Sequence, residues 1–213
     1  MKIAILGAEC TGKTQLAQAL TLALKERPGG ASWIAETLRE WCAVNGRTPK
    51  SDEQLAIALE HEKRMDSAAP VGFLLADTTA LMTAIYSDLL FNDRSLYPIA
   101  LDKHRRYDLT LVTGLDLPWV PDGVQRDGPQ SQSSVDTRLR EVLQTHRIDY
   151  AVVYGQGSDR ADCALQTILQ HTKEAPNSAL KPSAWRWNCE KCSDAACEHR
   201  QFSALLERDS VRV

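Results

Sequence analysis

No run of about 18 apolar residues occurs in the 213-residue chain, which excludes a helix that spans a membrane. Neither sign of charge dominates. The 25 Lys and Arg face 28 Asp and Glu, a net charge of −3 with a pI near 6.0, so the basic stripe typical of nucleic-acid-binding domains is missing. There is no internal repeat and no low-complexity segment. The opening "MKIAIL" leads into a motif and not into a small-residue cleavage site, so a cytoplasmic protein is expected, with neither nucleic acid nor membrane among its partners. Six cysteines in a chain of this length, without a secretory signal, do not make a disulfide scaffold. Cys10, Cys42 and Cys163 stand singly and read as buried thiols, whereas Cys189, Cys192 and Cys197 crowd into one short segment.

What is present alternates. "KIAILG" is a continuous β-rich apolar run stopped by Gly7, as a strand buried on both faces requires. "SWIAE", "VGFLLAD", "YDLTLVTG" and "IDYAVVYG" read as four further strands. Between them fall helical patterns: "TQLAQALTLALKE", "SDEQLAIALEHEKRMDSAA" behind a Ser51/Asp52 cap, "TALMTAIYSDLLF", "SSVDTRLREVLQTHR" and "DRADCALQTILQHT". Strand–helix alternation predicts a three-layer α/β/α domain around a mainly parallel five-stranded sheet. Ligands of such sheets bind beyond the carboxyl ends of the strands, where Gly7, Glu36, Asp77, Gly114 and Gly155 are all expected. The domain should run over residues 1–175. Residues 116–134, rich in Pro, Gly and Ser, read as a lid, and residues 176–213 as a Cys/His-rich appendage of different composition.

Gly7-Ala8-Glu9-Cys10-Thr11-Gly12-Lys13-Thr14 fits G-x-x-x-x-G-K-[ST] between a strand and a helix, the context that motif needs. Its backbone N–H groups and the helix N-terminus cradle phosphates, Lys13 neutralises β/γ-phosphate oxygens, and the Thr14 hydroxyl ligates Mg²⁺. ATP with Mg²⁺ is therefore the expected cofactor, held by Gly7, Glu9, Cys10, Thr11, Gly12, Lys13 and Thr14. Interior loop positions act through their backbone, so the side chains of Glu9 and Cys10 need no special role.

A phosphate loop does not fix the task. Hydrolytic motors commonly carry a Glu beside the acidic residue that closes the third strand, but here Asp77 is followed by Thr78 and Thr79. A GTP switch carries Asn-Lys-x-Asp late in the chain, and none occurs. Both absences favour transfer to a bound acceptor. Asp77 can hold Mg²⁺ through water or accept the proton of an incoming hydroxyl; its plain alternative is a cap on the helix beginning at Thr78. Arg126 in the lid is placed to meet developing phosphoryl charge, and Trp119 gives that loop a large ring needing something to cover.

Four stretches in order, "ILGAECTGKT", "AETLRE", "ALEHE" and "YDLTLVTGLDLPWVPDG", resemble the ribosylnicotinamide kinase domain of NadR-type proteins. The resemblance covers about residues 1–172. It implies phosphorylation of the 5′-hydroxyl of nicotinamide riboside by MgATP, with catalytic Lys13, Asp77 and Arg126. The nucleoside side would be lined by Glu36, Arg39, Asp77, Trp119 and Asp122. Two positions depart from the family pattern: Thr79 stands where a second carboxylate or amide is common, and Gln125 shifts the lid arginine to Arg126. Another nucleoside or small alcohol as acceptor, and a nucleotide-sensing module that docks a partner through its tail, are the alternatives. Glu36 and Arg39 at i,i+3 could equally be a surface ion pair, and His61 a helix-surface or core residue.

In the tail, Cys189-x-x-Cys192-x4-Cys197-x-His199 offers three thiolates and one imidazole, the ligand set of a structural Zn²⁺ site; reduced cysteines on a loose tail are the alternative. Trp185 and Trp187, at alternate positions, would lay two indoles on one face of an extended segment.

Overall fold

The computed structural model describes residues 1–119 and 129–172, all within the unit Met1–Thr172. Asp122, Arg126, Trp185, Trp187, Cys189, Cys192, Cys197 and His199 lie outside the described residues.

Five strands, β1 (Lys2–Leu6), β2 (Ala31–Ile34), β3 (Phe73–Asp77), β4 (Leu109–Thr113) and β5 (Ala151–Val153), form one sheet of order β2-β3-β1-β4-β5. Every pairing is parallel, and the register sets Ile5 opposite both Asp77 and Leu111. Parallel neighbours require crossovers; among the described residues six helices supply them, α1 (Lys13–Leu24), α2 (Thr37–Asn45), α3 (Ser51–Ser67), α4 (Ala80–Phe91), α5 (Tyr97–His104) and α6 (Pro129–Thr145), and α7 (Gly157–His171) follows β5.

The two-residue period of β1 divides the core. Ile3 and Ile5 join Leu16, Leu20 and Leu24 of α1 and Ala164 and Ile168 of α7 on one face. Ala4 and Leu6 join Leu81, Ile85, Leu101, Leu139 and Leu143, from α4, α5 and α6, on the other. This is the α/β/α sandwich that the alternation predicts. The central strands are buried on both faces, which is why β1 and β3 read as unbroken apolar runs.

Four local expectations change. The cap of α3 is Lys50, not Ser51/Asp52: the Lys50 N–H donates to Glu53 Oε2 at 2.7 Å, so the N3 carboxylate satisfies the chain end and Ser51 already lies inside the helix. Helix α5 has no counterpart in the sequence pattern, because it is only 8 residues long and opens with Pro98 in its first turn. Helix α6 starts at Pro129, four residues ahead of the pattern at Ser133, and Pro suits a first turn, whose N–H groups have no partner inside the helix. Among the thiols, Cys42 is buried, Cys10 half-buried and Cys163 exposed on α7, so the reading of Cys163 as a buried thiol fails.

Two buried histidines tie the elements together, His104 joining α5 to β4 and His61 joining α3 to α2. His104 lies between Thr79 Oγ1 (3.3 Å from Nδ1) and Thr110 Oγ1 (3.0 Å from Nε2), while His61 Nδ1 lies 3.1 Å from Thr37 Oγ1. Burial pushes both imidazoles down to about 4, so each is neutral near pH 7, and His61 is a core residue.

The folded value lies below the value of about 6.5 for a free histidine, so the unfolded chain takes up the proton first as pH falls. Stability present above pH 6.5 is therefore lost progressively down to about pH 4. Urea unfolding at pH 7 and pH 5 should show His104→Gln losing less stability than the wild type between the two, by about 2 kcal/mol. Equal losses in both proteins would contradict a buried neutral His104.

Candidate active site

The loop after β1 is shaped from below by β4. Gly7 has φ 146°, and a Cβ there would sit 2.0 Å from Thr113 Oγ1. That hydroxyl lies 2.7 Å from Thr11 Oγ1 and 3.1 Å from the Leu6 carbonyl, and the Thr11 hydroxyl donates to the Ala8 carbonyl at 2.7 Å. Cys10 (φ 57°) and Gly12 (φ 74°) take left-handed backbone, curling the loop back onto the start of α1. Gly12 caps α1 without a side chain, so the first N–H groups of the helix remain available to an anion. Two later segments close on the loop: Leu117 packs at Gly12, and Gln132 Nε2 of α6 donates to the Glu9 carbonyl at 2.6 Å.

Lys13 is buried, and its Nζ donates to the Ala8 carbonyl at 2.7 Å. The Thr14 hydroxyl donates to Asp77 Oδ2 at 2.6 Å. Asp77 is 1% exposed, and its Oδ1 is buried without a partner among the described residues. Asp77 does not cap the next helix. That task falls to Thr79, whose Oγ1 accepts from the Leu81 N–H at 3.2 Å, and to Glu62 of α3, which accepts from the Ala80 N–H at 3.2 Å. Thr78 between them adopts φ 71°, a left-handed conformation unfavourable for a β-branched residue.

Glu36 reaches the same place from the end of β2. It pairs with Arg39 at 3.1 Å, but the two differ: the Arg39 side chain is 53% exposed and that of Glu36 only 11%. Burial raises the Glu36 carboxyl above its ordinary range; Lys13 and Arg39 oppose the rise, while Asp77 and Glu9 add to it. A plain surface pair therefore describes Arg39 and not Glu36. Glu36 also stands at the N-cap of α2 without making a cap bond.

The side chain of Glu9, which the motif leaves without a task, is also engaged. It is hydrogen-bonded to Tyr86 of α4, whose hydroxyl is pushed well above its ordinary range first by burial and then by Glu9 and Glu36. The second Glu9 oxygen, Oε2, is buried without a partner among the described residues, as is Trp119 Nε1. The sequence offers one hint of Tyr86: a phenol on the helix that starts directly after the Asp77 turn. Lys13, Thr14, Glu36, Arg39 and Asp77 thus fall into one cluster, joined by Glu9 and Tyr86.

The far side of the site is braced by Arg160. Its guanidinium meets Asp116 Oδ1 (2.9 Å) and the carbonyls of Gly155 (2.8 Å) and Gly114 (3.3 Å), while the Gly155 N–H donates to Asp116 Oδ2 at 2.6 Å. The exits of β4 and β5 are locked together by this buried ion pair. Among the described residues, no three or more His, Cys, Asp or Glu are grouped to hold a metal ion, and no helix is long and apolar enough to cross a membrane.

Known structures share this fold. NadR protein in complex with NR superposes with a TM-score of 0.70 at 20% identity, covering 84% of this chain and 54% of the other. NadR protein in complex with NAD and AMP-PNP gives 0.64 at 20% identity, covering 80% and 49%. The chain thus spans about half the length of the NadR chains. The deoxyadenosine kinase from M. mycoides with products dCMP and a flexible dCDP bound gives 0.53 at 14% identity, covering 82% and 100%. At these identities the likeness is one of fold. No curated protein matches the sequence. A family model described as AAA domain matches residues 2–160, most of the 213, and the chain belongs to that family.

Proposed function

We propose that the protein is an ATP-dependent kinase that transfers the γ-phosphate to the 5′-hydroxyl of a nucleoside, nicotinamide riboside in the first instance, yielding nicotinamide mononucleotide and ADP. One observation carries the reading. Asp77, tied by one oxygen to Thr14 of the phosphate loop, keeps its other oxygen buried and unpartnered among the described residues, within electrostatic reach of a second carboxylate, Glu36. A hydrolase needs only water at that position, whereas a pocket walled by carboxylates suits the hydroxyls of a sugar.

The chain's own groups supply the steps. The N–H groups of residues 7–14 and the N-terminus of α1 would receive the β- and γ-phosphates, with Lys13 exchanging its Ala8 carbonyl for phosphate oxygen. Thr14 and Asp77 fit a Mg²⁺ ion, a hydroxyl and a carboxylate already in contact at 2.6 Å. When bound, that ion would supply positive charge to offset the charge that develops on the phosphates. Asp77 Oδ1 accepts the proton of the acceptor hydroxyl as its oxygen bonds to the γ-phosphorus and the bridging oxygen departs with ADP. Glu36, steadied by Arg39, would hold sugar hydroxyls in line for attack. Enforced backbone at Thr78 and the Thr79 and Glu62 caps fix the aim of Asp77.

ADP release from MgATP should be strongly stimulated by nicotinamide riboside and weakly by other nucleosides, deoxyadenosine included. Stimulation by another nucleoside alone would keep the kinase and discard this acceptor. Silence across the panel would contradict the proposal. Lys13→Ala should abolish transfer while leaving the circular dichroism spectrum unchanged. Asp77→Asn should lower kcat by roughly 10²–10⁴-fold with a smaller effect on the KM for ATP, and a near-normal kcat would remove Asp77 from the proton transfer.

A further inference from the structure

The charges around the acceptor position do not balance. Three carboxylates, Glu9, Glu36 and Asp77, lie within electrostatic reach of one another, together with two cations, Lys13 and Arg39. Bound nucleotide redistributes them: Lys13 is committed to phosphate and Asp77 to Thr14 and the metal, leaving Glu9 and Glu36 against Arg39 alone. Arg39 contacts Glu36, not Glu9, and it does so from the exposed rim. The other neighbour of Glu9, Tyr86, donates a hydrogen bond but no charge. Glu9 Oε2 is left buried with no partner among the described residues. A carboxylate oxygen buried without a partner is costly, and a ligand that binds next to it can satisfy it.

Resting on the kinase reading above, we propose that the site selects an acceptor carrying one positive charge, and that Glu9, through its side chain and not its loop backbone, is the residue that discriminates. The deficit is a single unit, so a monocationic nucleoside such as an N-ribosyl pyridinium restores neutrality, whereas a neutral nucleoside of the same shape leaves Glu9 unpaired. The choice is one of charge more than of shape, because the carboxylate presents no donor and no apolar surface by which to tell one base from another.

Nicotinamide riboside and its 1,4-dihydro form test this directly, since they share ribose and carboxamide and differ in the charge of the ring. The wild-type protein should show a kcat/KM ratio of cation to neutral form on the order of 30 or more, the range lost when a buried charge partner is removed. Glu9→Gln should collapse that ratio towards unity. Glu36→Gln, which removes the same unit of charge from the end of β2, should lower it too, and serves as the second variant if Glu9→Gln does not fold. Equal kcat/KM for the two forms in the wild type would overturn charge selection and leave the kinase standing. A ratio unchanged in folded Glu9→Gln would overturn the role of Glu9. Absence of transfer to either form would overturn nicotinamide riboside as the acceptor and this inference together.

Discussion

A 2.6 Å hydrogen bond joins Thr14, in the first turn of α1, to Asp77, the last residue of β3. It spans 63 residues of sequence, and the sheet order makes it possible. β1 and β3 are neighbours with Ile5 opposite Asp77, so the loop leaving β1 and the carboxylate ending β3 emerge side by side from a rigid parallel ladder. β4 lies on the other side of β1 and ends at Thr113, which fills the space under Gly7. Any shift of register by one residue would turn Asp77 to the opposite face and break the contact with Thr14. On the proposed kinase reading, the phosphate side and the acceptor side of the site meet at this bond.

Placing so many polar groups at one edge is costly, and the surrounding structure bears that cost. Thr78 holds a left-handed conformation, and Asp77 Oδ1 and Glu9 Oε2 are buried without partners among the described residues. Behind them most polar groups are paired, with Arg160 Nε an exception among the described residues. Thr79 and Glu62 satisfy the start of α4, His104 links Thr79 to Thr110, and the Asp116–Arg160 pair fixes the exits of β4 and β5. Satisfied polar groups one layer back hold unsatisfied ones in front, the pattern of a preorganised binding site.

The strands and the phosphate loop were legible because their signals are local. Apolar runs ending at Gly7 and Asp77 report burial on both faces, and the Gly7–Thr14 motif carries its own backbone geometry. Helix α5 escaped because 8 residues opening on a proline carry little periodicity. The α3 cap was misplaced because Lys50, an unlikely capping type, is served by Glu53 three residues on. Tyr86, Gln132 and the part played by the Glu9 side chain were missed for a different reason. Their partners lie far away in sequence: Gln132 reaches the Glu9 carbonyl across 123 residues, and no pattern within one helix announces such a contact. Glu36 and Arg39 show both limits, since their spacing gave the ion pair and only the fold reveals that one member is buried beside Lys13.

The fate of the γ-phosphate is the most direct measure of the account. Phosphorus-31 NMR of MgATP incubated with the protein and nicotinamide riboside follows every phosphorus atom at once. A phosphomonoester resonance that grows in step with ADP, split by the two 5′-methylene protons, is the predicted result. Growth of inorganic phosphate alone, with no phosphomonoester, would contradict transfer to a nucleoside hydroxyl.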